Sequence, residues 1–208
     1  MDKLARDDEE QLIARSQHGD VEAFNQLIGQ YQHIMYGTVF RMLGDSDTAA
    51  DVTQDAFIAA FKAIRSYRGN ASFRAWLLRI GSNMACDHWR RVQRHPTASL
   101  DMLTDEDESR NSGSAEALIL TDRANNPEEV VLTRELQELI QHGLQALPLD
   151  QRTVIVLYDI HGLSYEEVAQ ATQTNIGTVR SRISRGRARL RTYLQQHQEL
   201  LPRNYRLT

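Results

Sequence analysis

The chain has 208 residues, 41% of them hydrophobic and 25% charged, which is enough for one domain or two small ones and excludes a collagen-like or disulfide-rich scaffold. Its 24 Lys and Arg against 28 Asp and Glu leave a net charge of only -4, so any nucleic-acid partner has to be met by a local basic face. Cys86 is the single cysteine, which rules out an internal disulfide and a cysteine-built metal site; the charged start MDKLARDDEEQ and the lack of a long apolar run predict a cytoplasmic protein.

Leu12 to Met42 reads as helix almost throughout. Asp20 can cap a segment beginning at Val21, on which Phe24, Leu27, Ile28, Tyr31, Ile34 and Met35 recur at three- and four-residue steps. Gly44-Asp-Ser-Asp47 ends that run and caps the next helix, Thr48 to Ile64. Val52, Ala56, Ala59 and Ala60 give this helix an inner face, while Asp51, Gln54, Asp55, Ile58 and Lys62 lie on another surface. By chemistry alone the acidic stripe is an ordinary solvated face.

Ser66 to Ser72 is a loop with Gly69 and Asn70 as turn formers. Asn70 or Ser72 then opens a helix whose apolar stripe is Phe73, Trp76, Leu77, Ile80 and Met84. Arg74, Arg79, Asn83, His88, Arg90, Arg91 and Arg94 are left for its other surfaces. Tyr67 in a polar loop, followed by Arg and Asn on a helix, has the ingredients of a single-strand binder, because aromatics stack on bases and cations follow the backbone. The spacing of Trp76 assigns it to the core, and Cys86 is expected to be a small buried hydrophobe.

From Pro96 the composition turns acidic and polar. Asp101, Asp105 to Glu108 and Ser109 to Ser114 bury too little apolar surface to offset the entropy of ordering them, which predicts a flexible linker over 96–127 with at most a transient turn at Ala115 to Leu120. Two domains, 1–95 and 128–208, are expected on either side. Pro127-Glu-Glu129 suits a helix first turn, and Leu132, Leu136, Leu139, Ile140 and Leu144 continue at helical spacing. Pro148 starts a further helix, LDQRTVIVLYDIHG, closed by Gly162.

The stretch Leu163 to Leu190 is the most informative. Ser164 and Glu167 can form a reciprocal capping box, and Leu163 and Val168 a hydrophobic staple. Thr172 to Asn175 is a polar break. A second helix from Ile176 to Thr178 onward puts Val179, Ile183, Gly186 and Leu190 on one face, leaving Arg180, Ser181, Ser184 and Arg185 outward, with Arg187 continuing the positive surface. This pattern describes a helix-turn-helix, and its outer residue types suit guanine edges and phosphates in a major groove. No strand signal appears, so the fold class is all-α.

Taken together, DVTQDAFIAAFKAI, SYRGNASFRAWLLRIGSNMACDHWRR and LPLDQRTVIVLYDIHGLSYEEVAQATQTNIGTVRSRISRGRARLR resemble the bacterial sigma factors of the extracytoplasmic-function class. The resemblance implies that Asp51, Gln54, Asp55, Phe57, Ile58 and Phe61 dock on the clamp coiled coil of core RNA polymerase. It implies that Ala63, Tyr67, Ile80 and Asn83 form a pocket for an extruded minus-ten base, with Arg74, Arg90 and Arg91 along the same DNA. Thr178, Arg180, Ser181, Ser184, Arg185 and Arg187 would read the minus-thirty-five duplex. An anti-sigma factor is an implied partner, the linker would thread near the RNA-exit path, and no cofactor, metal or obligate homo-oligomer is expected.

A classical dimeric helix-turn-helix regulator is the alternative, although neither a ligand-pocket motif nor sustained heptads are present. Catalysis is weaker still: Asp87-His88 with Asp51 and Asp55 has no spacing that sets a metal or nuclease site.

Overall fold

The computed structural model describes residues 3–94 and 127–197, with side chains over 8–94 and 135–197. Among the described residues all regular structure is helical. The first body holds α1 (Lys3–Gln17), α2 (Val21–Leu43), α3 (Ser46–Ala63), a 3-10 turn (Ile64–Ser66) and α4 (Phe73–Arg94). The second holds α5 (Pro127–Gln145), α6 (Leu149–Ile155) running into a π turn (Val156–Ile160), α7 (Tyr165–Thr172) and α8 (Ile176–Gln196). The stretch expected to be a linker, with its turn at Ala115 to Leu120, lies outside the described residues apart from Pro127, as does the tail from 198.

Local chemistry sets the corners. Asp20 Oδ1 accepts from the Ala23 N–H at 3.0 Å and caps α2; Gly44, in the left-handed region at φ 87°, ends it by donating to the Phe40 carbonyl at 2.8 Å. Asp45 then accepts from Thr48 N at 2.7 Å, so one helix stops and the next starts without an intervening loop. Ser72 Oγ accepts from Ala75 N at 3.2 Å and starts α4. Inside the first body Phe24, Leu27, Met35, Val39, Met42, Ile64 and Phe73 are buried. Helix α4 crosses α2 where Gly81 faces Met35, and an added Cβ would overlap the Met35 Sδ.

One expectation is refined and one corrected. The helix LDQRTVIVLYDIHG closes at Gly162, which takes φ 67°, but its last turn is a π turn. Its wider turn aims Tyr158 and Asp159 at α8 while His161 is buried toward α2. Helix α4 also has two buried faces rather than one. Phe73 and Leu77 join the first core, whereas Ala75 and Leu78 are buried in the second with Leu144, Val154, Leu157, Val168 and Val179.

The bodies therefore meet along a seam with its own polar chemistry. The carbonyls at the C-terminal end of α2 accept from the second body: Phe40, which also takes the Gly44 N–H, from Gln141 Nε2 at 3.1 Å, Arg41 from Gln145 Nε2 at 3.1 Å, and Met42 from Arg152 Nη1. The Thr38 hydroxyl, itself donated to the Ile34 carbonyl at 2.7 Å, receives the Nε2–H of His161 at 2.7 Å. Cys86, expected to be buried, is only partly so: it packs against the first core with its Sγ 3.5 Å from Thr153 Oγ1, and burial pushes its thiol pKa up.

Candidate functional site

Three surfaces collect the residues singled out by sequence. On the first, Asp51, Gln54, Asp55 and Ile58 are exposed at i, i+3, i+4 and i+7 along α3. Phe57 and Phe61 turn inward instead, Phe61 with its ring centroid 5.0 Å from that of Phe24. They form the floor of an apolar groove of about 720 Å³ between α2 and α3, whose other wall is Val21, Ile28 and Tyr36. Val21 is 56% and Ile58 46% exposed, so the rim presents bulky apolar groups to water beside a line of carboxylates. Sequence reasoning missed the α2 wall. Val21 was the available signal, an apolar residue at a helix N-terminus outside the core stripe.

The second surface is a cavity of about 570 Å³ lined by Ala63, Tyr67, Ile80 and Asn83, the four positions expected to share a pocket. Trp76, Arg68 and Arg79 line it too. Trp76, expected in the core, is only partly buried and serves both as core packing and as a pocket wall, because Trp76, Arg79, Ile80 and Asn83 share one α4 face. That i, i+3, i+4, i+7 run was legible in the sequence.

The Tyr67 loop is tightly held. Its hydroxyl donates to the Ala71 carbonyl at 2.8 Å, and its ring meets Phe73 edge-on at 5.6 Å and Trp76 at 5.4 Å. Gln17 on α1 donates to the carbonyls of Tyr67 at 2.8 Å and Ile64 at 3.3 Å. Burial, with Glu9 and Glu10 nearby, raises the Tyr67 pKa, so the hydroxyl stays neutral and keeps its proton on the Ala71 carbonyl. Arg74 does not reach this cavity. Arg90 and Arg91 are exposed further along α4, Arg90 with Asp87 at 3.1 Å and Arg91 with His88 Nδ1 at 3.1 Å.

The third surface is the helix-turn-helix. The capping box is complete: Ser164 Oγ accepts from Glu167 N at 3.1 Å, and Glu167 Oε2 from Ser164 N at 2.9 Å. Leu163 and Val168 are both buried, as the staple requires. Gln173 takes the left-handed conformation at φ 52° in the turn, and Asn175 caps α8 through Thr178 N at 2.7 Å. Arg180, Ser181, Ser184 and Arg185 are exposed as expected.

Arg187 is engaged differently. Its guanidinium grips the Asp159 carboxylate with two nitrogens and lies 5.5 Å above the Tyr158 ring, with Asp159 raising its pKa. Tyr158 stacks on Tyr165 at 4.5 Å, and Arg180 covers Tyr165 at 5.1 Å. This Arg–Tyr–Tyr–Arg column ties the recognition helix to the preceding elements. Among the described residues no cluster of His, Cys, Asp or Glu is placed to hold a metal, and no helix is long and apolar enough to cross a membrane.

An all-helical pair of bodies, the second carrying a capped helix-turn-helix with an arginine-rich outer face, has the architecture of a bipartite DNA-binding protein. The sequence matches the Sigma-70 region 2 family over residues 27–95 and the Sigma-70, region 4 family over 137–190. It is 38% identical over 192 residues to the RNA polymerase sigma-H factor of Pseudomonas aeruginosa, covering 92% of this chain and 96% of that one. It is 40% identical over 176 residues to the ECF RNA polymerase sigma-E factor of Escherichia coli K12, covering 85% and 88%. The chain belongs to the extracytoplasmic-function class of RNA polymerase sigma factors.

Solved structures share the architecture. CnrH in complex with the cytosolic domain of CnrY superimposes with a TM-score of 0.60 at 27% identity, covering 91% of this chain and 98% of that one. The sigma factor RpoE of Bartonella quintana, in complex with the anti-sigma factor NepR, gives 0.61 at 24% identity over 82% and 96%, a likeness of fold.

Proposed function

We propose that this sigma factor works in the cytoplasm, binds core RNA polymerase through the α2–α3 groove and the acidic edge of α3, and selects promoters with its two bodies acting at fixed spacing. Asp51, Gln54, Asp55 and Ile58 supply the exposed contacts, over a floor of Phe57 and Phe61. The cavity of Ala63, Tyr67, Ile80 and Asn83 receives one non-template base of the minus-ten element. Extrusion costs a few kcal/mol of unstacking, which an aromatic-walled cavity with an amide at its edge can offset. Arg90 and Arg91 follow the phosphates beyond it. Thr178, Arg180, Ser181, Ser184 and Arg185 meet the minus-thirty-five duplex, with Arg187 holding the helix in register. Joining two weak sites raises affinity through effective concentration without new contacts. An anti-sigma factor that covers the groove is the proposed restraint.

The observation that carries this reading is the convergence of those four separated residues on one cavity adjoining a basic helix face. Co-elution with bacterial core polymerase tests it, beside an Asp51→Ala/Gln54→Ala/Asp55→Ala variant. Tight wild-type binding lost in the variant is the expected result. A folded, inhibitor-free protein that ignores its cognate core would overturn the reading and leave the classical dimeric regulator in its stead.

A further inference from the structure

The outer face of α8 is met by two rings that belong to other elements. Tyr165 is the first residue of α7, and the capping box between Ser164 and Glu167 fixes that turn, so its ring leaves a rigid corner. Tyr158 comes from the π turn and stacks on Tyr165, with centroids 4.5 Å apart and planes 22° from parallel. Both rings are half-buried against the second core. Arg180 and Arg187 lie seven residues apart, two turns along one side of α8, and one guanidinium sits over each ring, Arg180 at 5.1 Å from Tyr165 and Arg187 at 5.5 Å from Tyr158. The two arginines differ in what else holds them. Arg187 is also clasped by the Asp159 carboxylate, and Arg182 between them is committed to Asp150 at 3.0 Å.

We propose that Tyr165, braced by Tyr158, is a positioning residue for duplex recognition: its ring sets the direction of the Arg180 side chain, so that α8 presents this guanidinium in a preset pose. A long side chain loses rotamer freedom when it meets DNA, and one already held in its bound pose loses less. The contact does not consume the group. Stacking uses the flat face of the guanidinium and leaves its in-plane N–H donors for a guanine edge or a phosphate. Tyr158 acts at one remove, as the surface that keeps the Tyr165 ring in place. The Asp159 clasp on Arg187 then ties the far end of the stack back to α8. The turn before the helix-turn-helix thereby reaches the recognition face without touching DNA.

This inference rests on the proposed function in taking Arg180 as a DNA contact, and the test keeps the two apart. The first readout needs no DNA. In the full chain the Arg180 side-chain proton resonances should lie upfield of their random-coil positions, through the ring current of Tyr165. Tyr165→Phe keeps the ring and should keep the shift, Tyr165→Leu should abolish it, and Tyr158→Leu should reduce it. The second readout is anisotropy of a labelled, randomised short duplex. Loss of an exposed cation–π contact corresponds to about two- to fivefold in affinity. Tyr165→Leu is expected to weaken duplex binding by that factor, Tyr158→Leu by less, and Tyr165→Phe to restore it. In an Arg180→Ala background the Tyr165→Leu loss should vanish, because the group it positions is gone.

Arg180 resonances that are unshifted in the wild-type chain would overturn the inference, and so would equal duplex affinity in Tyr165→Leu and wild type. A Tyr165→Leu loss that persists in full in the Arg180→Ala background would overturn it too, since Tyr165 would then act on the fold or touch DNA itself. If Tyr165→Leu does not fold, the wild-type shift and the Tyr158→Leu variant decide the matter. Unchanged duplex binding by Arg180→Ala, with the Arg180 shift present as expected, would instead be a failure of the proposed function, and the positioning role would fall with it.

Discussion

Arg152 of α6 donates to the main-chain carbonyl of Met42 at the end of α2, across the seam between the bodies. The same guanidinium also binds Gln145 Oε1, the Gln145 carbonyl at 2.7 Å and the Leu147 carbonyl at 3.1 Å, yet only 3% of the residue is exposed. A buried cation is tolerated here because several oxygens share its charge, though burial still lowers its pKa.

Replacing Arg152 with Met removes these donors and leaves buried carbonyls unpaired. Hydrogen bonds to a charged group are worth about 1.5–3 kcal/mol each in net stability, so a loss of at least that size is expected in urea unfolding. An unchanged midpoint would show that water takes over the role.

His161 makes the seam sensitive to acid. Burial first, and then Arg41 and Arg74, push its pKa from 6.5 down to about 4. The folded, docked state therefore binds fewer protons than the unfolded one between those values, and stability rises with pH across that interval. The contribution of neutral His161 is fully present above about pH 6.5, by the unperturbed imidazole value, and is lost as pH falls toward 4. Thermal melts across this range should show the dependence, and His161→Gln should flatten it.

Gly81→Ala pushes a methyl into Met35 at the α2–α4 crossing. Overpacking of this kind costs about 1–3 kcal/mol. Trimming Met35 to Ala in the same chain should recover part of the loss, as a double-mutant cycle would measure.

The recognition helix should divide its arginines by role. Arg185 is exposed and, among the described residues, bonded to Ser181 of its own helix, at 3.2 Å. If it contacts a phosphate, Arg185→Ala lowers the salt slope of duplex binding by about 1 without moving the melting temperature. Arg187→Ala breaks the Asp159 clasp and should instead alter the packing of α8, read as faster amide exchange around Tyr158 and Tyr165.

Much of this was legible in the chain because the signals are local. Asp20, Asp45, Ser164 and Asn175 cap helices by bonding an N–H three residues on, so caps and breaks need no distant partner. Exposure of Asp51, Gln54, Asp55, Arg180, Ser181, Ser184 and Arg185 likewise follows from helical periodicity. The all-α class and the helix-turn-helix were settled at that level. Tertiary structure alone decided the rest. Trp76 is both core and cavity wall, Phe57 and Phe61 are a groove floor, and Arg187 is committed to Asp159 by a π turn that no periodicity announces. The docking of the two bodies depends on side chains such as Gln145, Arg152 and His161 meeting α2 across more than a hundred residues. Periodicity reports which face of a helix is apolar; which partner covers that face, and which carbonyl a distant donor reaches, is fixed only when the helices pack.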